Sequence, residues 1–146
     1  MNTASVDTSV VVAGLATWHP DHDAARAILH ARPPALAHVV VESFSVLTRL
    51  PAPRRLDPTL VLTALRRLFP IEPIALPPSA IDDMLGRLVS HGIAGGATYD
   101  AMVGETARLA GLALHSLDGR ARRTYEAIGV DVIWLGAGLP TMLAAD

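Results

Sequence analysis

Four carboxylates stand out by their surroundings: Asp7, Glu42, Asp100 and Asp118. Asp7 follows the β-compatible stretch Ala4 to Val6, and Asp118 ends the apolar stretch LALHSL, so both acids sit where a strand gives way to a helix. Asp100 shares a helical face with Val103, Gly104 and Ala107, a surface too small and apolar to leave a carboxylate freely hydrated. Glu42 is the one acid in the helical stretch VVVESFSVLTRL. If the four converge, mutual repulsion and desolvation make the cluster costly unless a hard cation neutralises it, and oxygen-only ligation selects Mg²⁺ or Mn²⁺. Such a cation polarises a phosphoryl oxygen, activates a bound water and stabilises the leaving oxygen, which are the tasks of phosphodiester hydrolysis.

Taken singly, each acid has a plainer account. Asp7 suits a turn that bonds its own backbone, and Asp118 suits a helix N-cap. Asp100 lies in the first turn after Thr98, where a negative charge complements the helix dipole, and Glu42 fits a solvated helix face. Joint placement is what favours chemistry, because parallel sheets bind ligands in the crevice beyond the carboxyl ends of their strands.

Composition removes competing chemistries. The chain has no cysteine, so disulfides, thiolate metal sites and cysteine nucleophiles are excluded. Its twelve basic residues are all arginine, and without lysine there is no Walker A loop, Schiff-base enzyme or Ser/Lys hydrolase. The net charge of −2 supplies no global field for nucleic acid, although Arg54/Arg55, Arg66/Arg67 and Arg120/Arg122/Arg123 are local concentrations that equally suit solvated faces. No apolar run approaches the ~18 residues that span a bilayer and no signal core opens the chain, so the cytoplasm is the expected location.

The elements that must position the acids follow from periodicity. Strand Ala4 to Val6 leads to a helix through Ala16 with Thr8 or Ser9 as its cap. DHDAARAILHAR is amphipathic and ends at Pro33 and Pro34. A short strand is expected at Ala35 to His38, then the Glu42 helix with Val40, Phe44 and Leu47 on one face and Glu42, Ser45 and Arg49 on the other. Pro58 opens a helix lined by Leu62, Leu65 and Phe69, and Ile74 to Leu76 reads as a strand. Ser79 is placed to cap a helix closed by Gly92. A helix from Thr98 to Ala110, strand LALHSL, helix GRARRTYEAIG and strand DVIWL complete the pattern. This alternation predicts a three-layer α/β/α sandwich with a mainly parallel central sheet, one domain over residues 1–136 and a C-terminal tail over 137–146.

DTS after the first strand, VVVESFSVL, and TYDAMVGETARLAGLALHSLD resemble the successive acidic motifs of PIN domains, most closely those of the VapC toxins of bacterial toxin–antitoxin pairs. The resemblance runs from Ser5 to about Leu135. It implies a Mg²⁺- or Mn²⁺-dependent endoribonuclease toxin acting on structured RNA such as tRNA or rRNA, silenced by a cognate VapB-like antitoxin and forming a homodimer. It places Asp7, Glu42, Asp100 and Asp118 at the metal, with Ser116 where the family commonly has Thr, in a hydrogen-bonding role beside them. Thr8 and Ser9 suit either orientation of Asp7 or helix capping.

Rival sites fare worse. His19, His22 and Asp23 lie at a helix entry beside Pro20, where capping accounts for them. His115 and Ser116 alternate across one strand and cannot form a triad with Asp118. Ser9 stands where a haloacid-dehalogenase-type phosphatase needs its second Asp, and GIAGGA does not complete GxGxxG. The remaining alternative is a catalytically silent PIN-like module that binds RNA or protein, its acids serving capping and packing.

Overall fold

The computed structural model describes residues 3–136. Three short strands, β1 (Ala4–Val6), β2 (Ala113–Ser116) and β3 (Val132–Trp134), pair in parallel in the order β1-β2-β3. The register sets Ser5 against Leu114 and Ser116 against Trp134. Among the described residues there are seven α-helices: α1 (Thr8–Leu15), α2 (His22–His30), α3 (Ala37–Thr48), α4 (Pro58–Leu68), α5 (Ile81–Ser90), α6 (Ala97–Leu109) and α7 (Arg122–Ile128). The predicted α/β architecture with a parallel sheet is what forms. Leu114, Ser116 and Trp134 share one face of the sheet, where Tyr125 of α7 lies 6.4 Å from the Trp134 ring. His115 and Ile133 occupy the other face beside Ile28 and Ala31, so His115 points away from Ser116 as strand alternation requires. The expected tail over 137–146 lies outside the described residues.

Two expected strands shrink to a single contact. Neither Ala35 to His38 nor Ile74 to Leu76 extends; Leu36 and Ile74 form one parallel bridge, closed by Ala37 N–H to the Ile74 carbonyl and Ile74 N–H to the Ala35 carbonyl, each 2.8 Å. The reason is proline: Pro33, Pro34, Pro73 and Pro77 flank the bridge without N–H groups to lengthen a ladder. The Ser5 hydroxyl still ties this segment to β1 through the Pro34 carbonyl at 2.6 Å.

Expected helix caps also change. Asp7, not Thr8 or Ser9, occupies the N-cap of α1 and makes no side-chain cap bond, because its carboxylate is engaged elsewhere. Ser79 lies inside a 3₁₀ turn, Pro78–Ala80, and does not cap α5 with its side chain. Gly92 does end α5, at a φ of 66° that favours glycine.

Helix α3 is rotated from its expected pose. Val39, Ser43 and Leu47 face the core, whereas Phe44 is 37% and Val41 69% exposed. The small Ser43 lets α3 sit close, and the rotation brings Glu42 to the border of the buried face instead of the side opposite it. Helix α6 uses small residues in the same way. A Cβ on Gly104 would meet Tyr125 Cδ1 at 3.1 Å and Val130 Cγ1 at 3.2 Å, so glycine there lets α7 approach and delivers Tyr125 to the end of the sheet.

Candidate active site

The carboxyl ends of adjacent strands β1 and β2 deliver Asp7 and the Ser116–Asp118 turn to one place, and the side of α3 and the first turn of α6 add Glu42 and Asp100. A cavity of about 40 Å³ is lined by all four acids together with Thr8, Ser9, Val103 and Tyr125. A neighbouring cavity of about 430 Å³ shares Glu42, Asp100 and Asp118 and adds His19, Asp21 and Arg120. Every acid singled out in the sequence therefore reaches one crevice. The inner cavity has volume for a few water-sized spheres.

Asp7 is the most buried of the four, at 4% exposure. Its Oδ2 accepts from Ser116 Oγ at 2.5 Å and from the Tyr125 hydroxyl at 2.8 Å, and its Oδ1 accepts from Ser9 Oγ. Burial raises its pKa above the ordinary 3.8, and the hydroxyl bonds only offset part of that cost. The backbone supports the placement, since Asp7 N–H donates to the His115 carbonyl at 3.0 Å and prolongs the sheet ladder. Ser116 is a hub: its Oγ donates to Asp7 and accepts from Asp118 N–H at 3.0 Å. The serine expected beside the site thus links two of its acids.

Asp100 shows the character of the cluster. Its pKa is raised from 3.8 to about 6, first by burial and then by the negative charges of Asp118, Glu42 and Asp7, with Arg120 opposing weakly. Glu42 receives the Thr8 hydroxyl at 2.5 Å and lies 3.8 Å from His38 Nε2. Asp118 accepts from Arg120 N–H at 3.1 Å, so its capping role and its place in the crevice coexist. Among the described residues no three His, Asp or Glu side chains already meet as a closed ligand set. A set of hard oxygen donors around space for water still suits a partly hydrated Mg²⁺ or Mn²⁺, which retains several waters and binds through a few carboxylates.

Several participants were not read from the sequence. Tyr125 is 2% exposed, and the only hint was that a buried tyrosine needs a partner for its hydroxyl. Ser9 serves Asp7 as one expected option had it, and also accepts from Leu117 N–H at 2.9 Å, bracing the β2 exit against α1. Thr8 turns to Glu42 instead. His38 has no hydrogen-bond partner at Nε2 and stacks on Tyr99, with ring centroids 5.4 Å apart and planes 1° from parallel. At the helix entry, His19 Nδ1 accepts from Asp21 N–H at 3.0 Å and His22 Nδ1 meets the Ala13 carbonyl at 2.8 Å, while His19 also lines the larger acid cavity.

With acids ending neighbouring parallel strands and two helices closing over them, the fold and crevice agree with the family match: the PIN domain profile matches residues 4–127, and the chain belongs to the PIN domain family. Within that family it is VapC-like. It is 45% identical over 126 residues to Ribonuclease VapC40 from two strains of Mycobacterium tuberculosis, covering 86% of this chain and 94% of the relative. Ribonuclease VapC27 of Mycobacterium tuberculosis is 38% identical over 130 residues, covering 88% of this chain and 94% of that relative. No solved structure matches.

Proposed function

We propose that this chain is a metal-dependent endoribonuclease toxin that hydrolyses phosphodiester bonds in structured RNA, tRNA or rRNA, and is neutralised by a cognate VapB-like antitoxin. The observation that carries the reading is the convergence of four carboxylates on one crevice, where burial first and then the charges of the other three push the Asp100 carboxyl up to about 6. A fold pays for unrelieved repulsion of this kind where the site awaits a cation.

Asp7, Glu42, Asp100 and Asp118 would hold Mg²⁺ or Mn²⁺, directly or through water, and the ion when bound supplies Lewis-acid activation of the phosphate and acidification of water. The chain's own groups do the rest. Ser9, Ser116 and Tyr125 fix the Asp7 carboxylate in one orientation by three hydrogen bonds. Thr8 does the same for Glu42, and the turn after β2 fixes Asp118 through Ser116 and Arg120. Asp100 lines the same cavity beside Val103, and positive charge arriving there favours its ionised form. Arg120, at the cavity mouth and 96% exposed, offers its guanidinium to the RNA phosphates, with Arg122 and Arg123 close behind in sequence.

The names of the relatives support the ribonuclease element of the proposal, and the VapB-like antitoxin follows from the resemblance to VapC toxins. An apolar groove of about 280 Å³ between α3 and α4, lined by Val40, Val41, Phe44 and Leu62, gives an antitoxin segment or a second copy in a homodimer a surface to cover. No helix among the described residues is long and apolar enough to cross a membrane, and we place the toxin in the cytoplasm with its RNA.

The test is purified protein incubated with total bacterial RNA in Mg²⁺ or in EDTA, beside the Asp7→Asn and Asp100→Asn variants, with Mn²⁺ titrated calorimetrically onto each. Discrete cuts that need metal and vanish in both variants are expected. Cutting that survives in EDTA or in both variants defeats the four-acid mechanism, and indifference to metal with RNA still bound favours the silent binding module.

A further inference from the structure

Tyr99 and His38 belong to neither the acid cluster nor the core, yet each is tethered to it. Tyr99 precedes Asp100 on α6, and His38 lies one turn before Glu42 on α3, about 6 Å along the helix axis. The two rings are stacked nearly parallel, with the Tyr99 side 54% exposed and the His38 Nε2 atom buried. A large aromatic exposed to water at a helix start gains little for the fold. Held flat against an imidazole, however, it presents a rigid outer π-face beside the acids. Unpaired bases stack on such faces whatever their sequence, whereas bases inside a duplex are already stacked on each other.

Resting on the ribonuclease reading above, we infer that the Tyr99–His38 pair is a stacking platform for an unpaired base next to the cut phosphate. The enzyme therefore selects loop nucleotides over stem nucleotides. The occupied inner face explains why the platform is preformed: His38 fixes the Tyr99 ring, so little side-chain freedom is lost when a base arrives. Tyr99 is here a specificity residue, and His38 a positioning residue acting through it.

The experiment uses the full chain and hairpin RNAs carrying 2-aminopurine at single positions in the loop or in the stem. Fluorescence in EDTA reads binding without cutting, and parallel reactions in Mg²⁺ read the cut sites. Quenching at one loop position adjoining the cut, and none in the stem, is expected. Tyr99→Phe preserves it. Tyr99→Leu, which keeps apolar bulk without a π-face, removes the quench and weakens binding roughly five- to a hundredfold, and circular dichroism shows whether its fold is intact. His38→Leu halves the quench or more while leaving Tyr99 in place. Equal quenching by the parent and Tyr99→Leu, or quenching in the stem, overturns the platform. If the parent cuts with metal but no loop position quenches, the platform falls and the nuclease stands; if it neither binds nor cuts RNA, both fall.

Discussion

Asp100 and Glu105 lie on the same helix, little more than a turn apart, and the protein treats their charges in opposite ways. Glu105 is 1% exposed, yet it is enclosed by arginine: Arg108 Nε donates to Oε1 at 2.6 Å, Arg108 Nη2 to Oε2 at 3.1 Å, and Arg87 Nη2 also donates to Oε2. Arg87 is itself bound to Asp83 Oδ2 at 3.2 Å and to the Ile128 carbonyl at 3.3 Å. Burial opposes the Glu105 charge, but the Arg108 bond and the Arg87 charge outweigh it and hold this carboxyl below its ordinary range. At Asp100 burial and three acidic neighbours act together, and one exposed arginine opposes them. The difference separates a carboxylate that ties α5, α6 and α7 together from one kept available. On the proposed function, neutralisation from within the chain marks Glu105 as a structural acid, and Asp100 is the one whose neutralisation is left to a ligand.

The sharpest way to break this contrast is to exchange the two lesions. Glu105→Ala leaves Arg87 and Arg108 without their shared partner and should cost about 3 kcal/mol, the low end of the range for a broken buried ion pair because both arginines reach solvent. For a chain of this size that is a drop in Tm of roughly 6–12 °C. Cleavage measured well below the transition should stay near the parental rate. Asp100→Asn should leave Tm equal or higher while abolishing metal-dependent cutting. Thermal denaturation and initial rates on both variants decide it. If Glu105→Ala loses cutting while folded, or Asp100→Asn loses stability, the division of labour is wrong.

Opposite pKa shifts also imply opposite pH slopes. Asp100 binds its proton more tightly folded than unfolded, so stability without metal declines as pH climbs from the ordinary 3.8 through about 6, and Asp7 adds to the same decline. Glu105 binds its proton less tightly when folded, so its contribution is present above the ordinary 4.5 and is lost as acid protonates it. Tm measured in EDTA across this interval should fall with rising pH in the parent and fall less steeply in Asp100→Asn, where Asp7 remains. Glu105→Gln should instead flatten the acid limb. Mg²⁺ should restore Tm on the high-pH side of the parent and of Glu105→Gln, and not of Asp100→Asn. A parental curve with no decline between the two Asp100 values would remove the evidence for repulsion.

Tyr125→Phe probes how the proposed metal-site acid Asp7 is held rather than whether it is charged. The variant keeps the ring packed on Gly104 and deletes the 2.8 Å bond to Asp7 Oδ2, leaving Ser9 and Ser116. Groups that orient metal-binding acids typically contribute 10–100-fold, and two surviving donors place the expected loss near tenfold in Mn²⁺ affinity and in cleavage rate. Titration calorimetry and initial rates check this. Unchanged affinity would mean that the serine hydroxyls alone fix Asp7.

How much of this was legible in the sequence varies with the range of the interaction. Strand-end placement is local, so Asp7 and Asp118 followed from where apolar runs stop. Asp100 followed from the small residues that share its face. The sheet core at Ala4–Val6, Ala113–Ser116 and Val132–Trp134 was equally readable, because β-compatible stretches between helices leave little choice. Long-range partners left no periodic trace. Nothing near Tyr125 in sequence pointed to Asp7, and nothing near Glu105 pointed to Arg87, since both contacts depend on how closely α7 and α5 approach α6. The rotation of α3 was misread for a related reason: Phe44 looks like core by type, but small Ser43 packs closer and wins the buried side. The strands at Leu36 and Ile74 shrink to one bridge because Pro33, Pro34, Pro73 and Pro77 lack the N–H groups that a longer ladder needs.

The smallest expected effect separates the two arginine environments. Arg120 is almost fully exposed, its Nε 3.4 Å from Asp118 Oδ1, whereas Arg87 is 29% exposed and held by Glu105, Asp83 and a carbonyl. Arg120→Ala should weaken RNA binding about equally for every sequence and lower the dependence of log K on log salt by about 1, the signature of one lost phosphate contact. At saturating RNA and metal its cutting rate should change little, because the acids and the hydroxyls that orient them remain. Arg87→Ala should do the reverse, lowering Tm and leaving the salt slope alone. Binding isotherms at several salt concentrations resolve the pair. A salt slope that moves with Arg87 and not with Arg120 would put the RNA track on the α5 side of the molecule, away from the crevice, and would detach the phosphate contacts from the acid site.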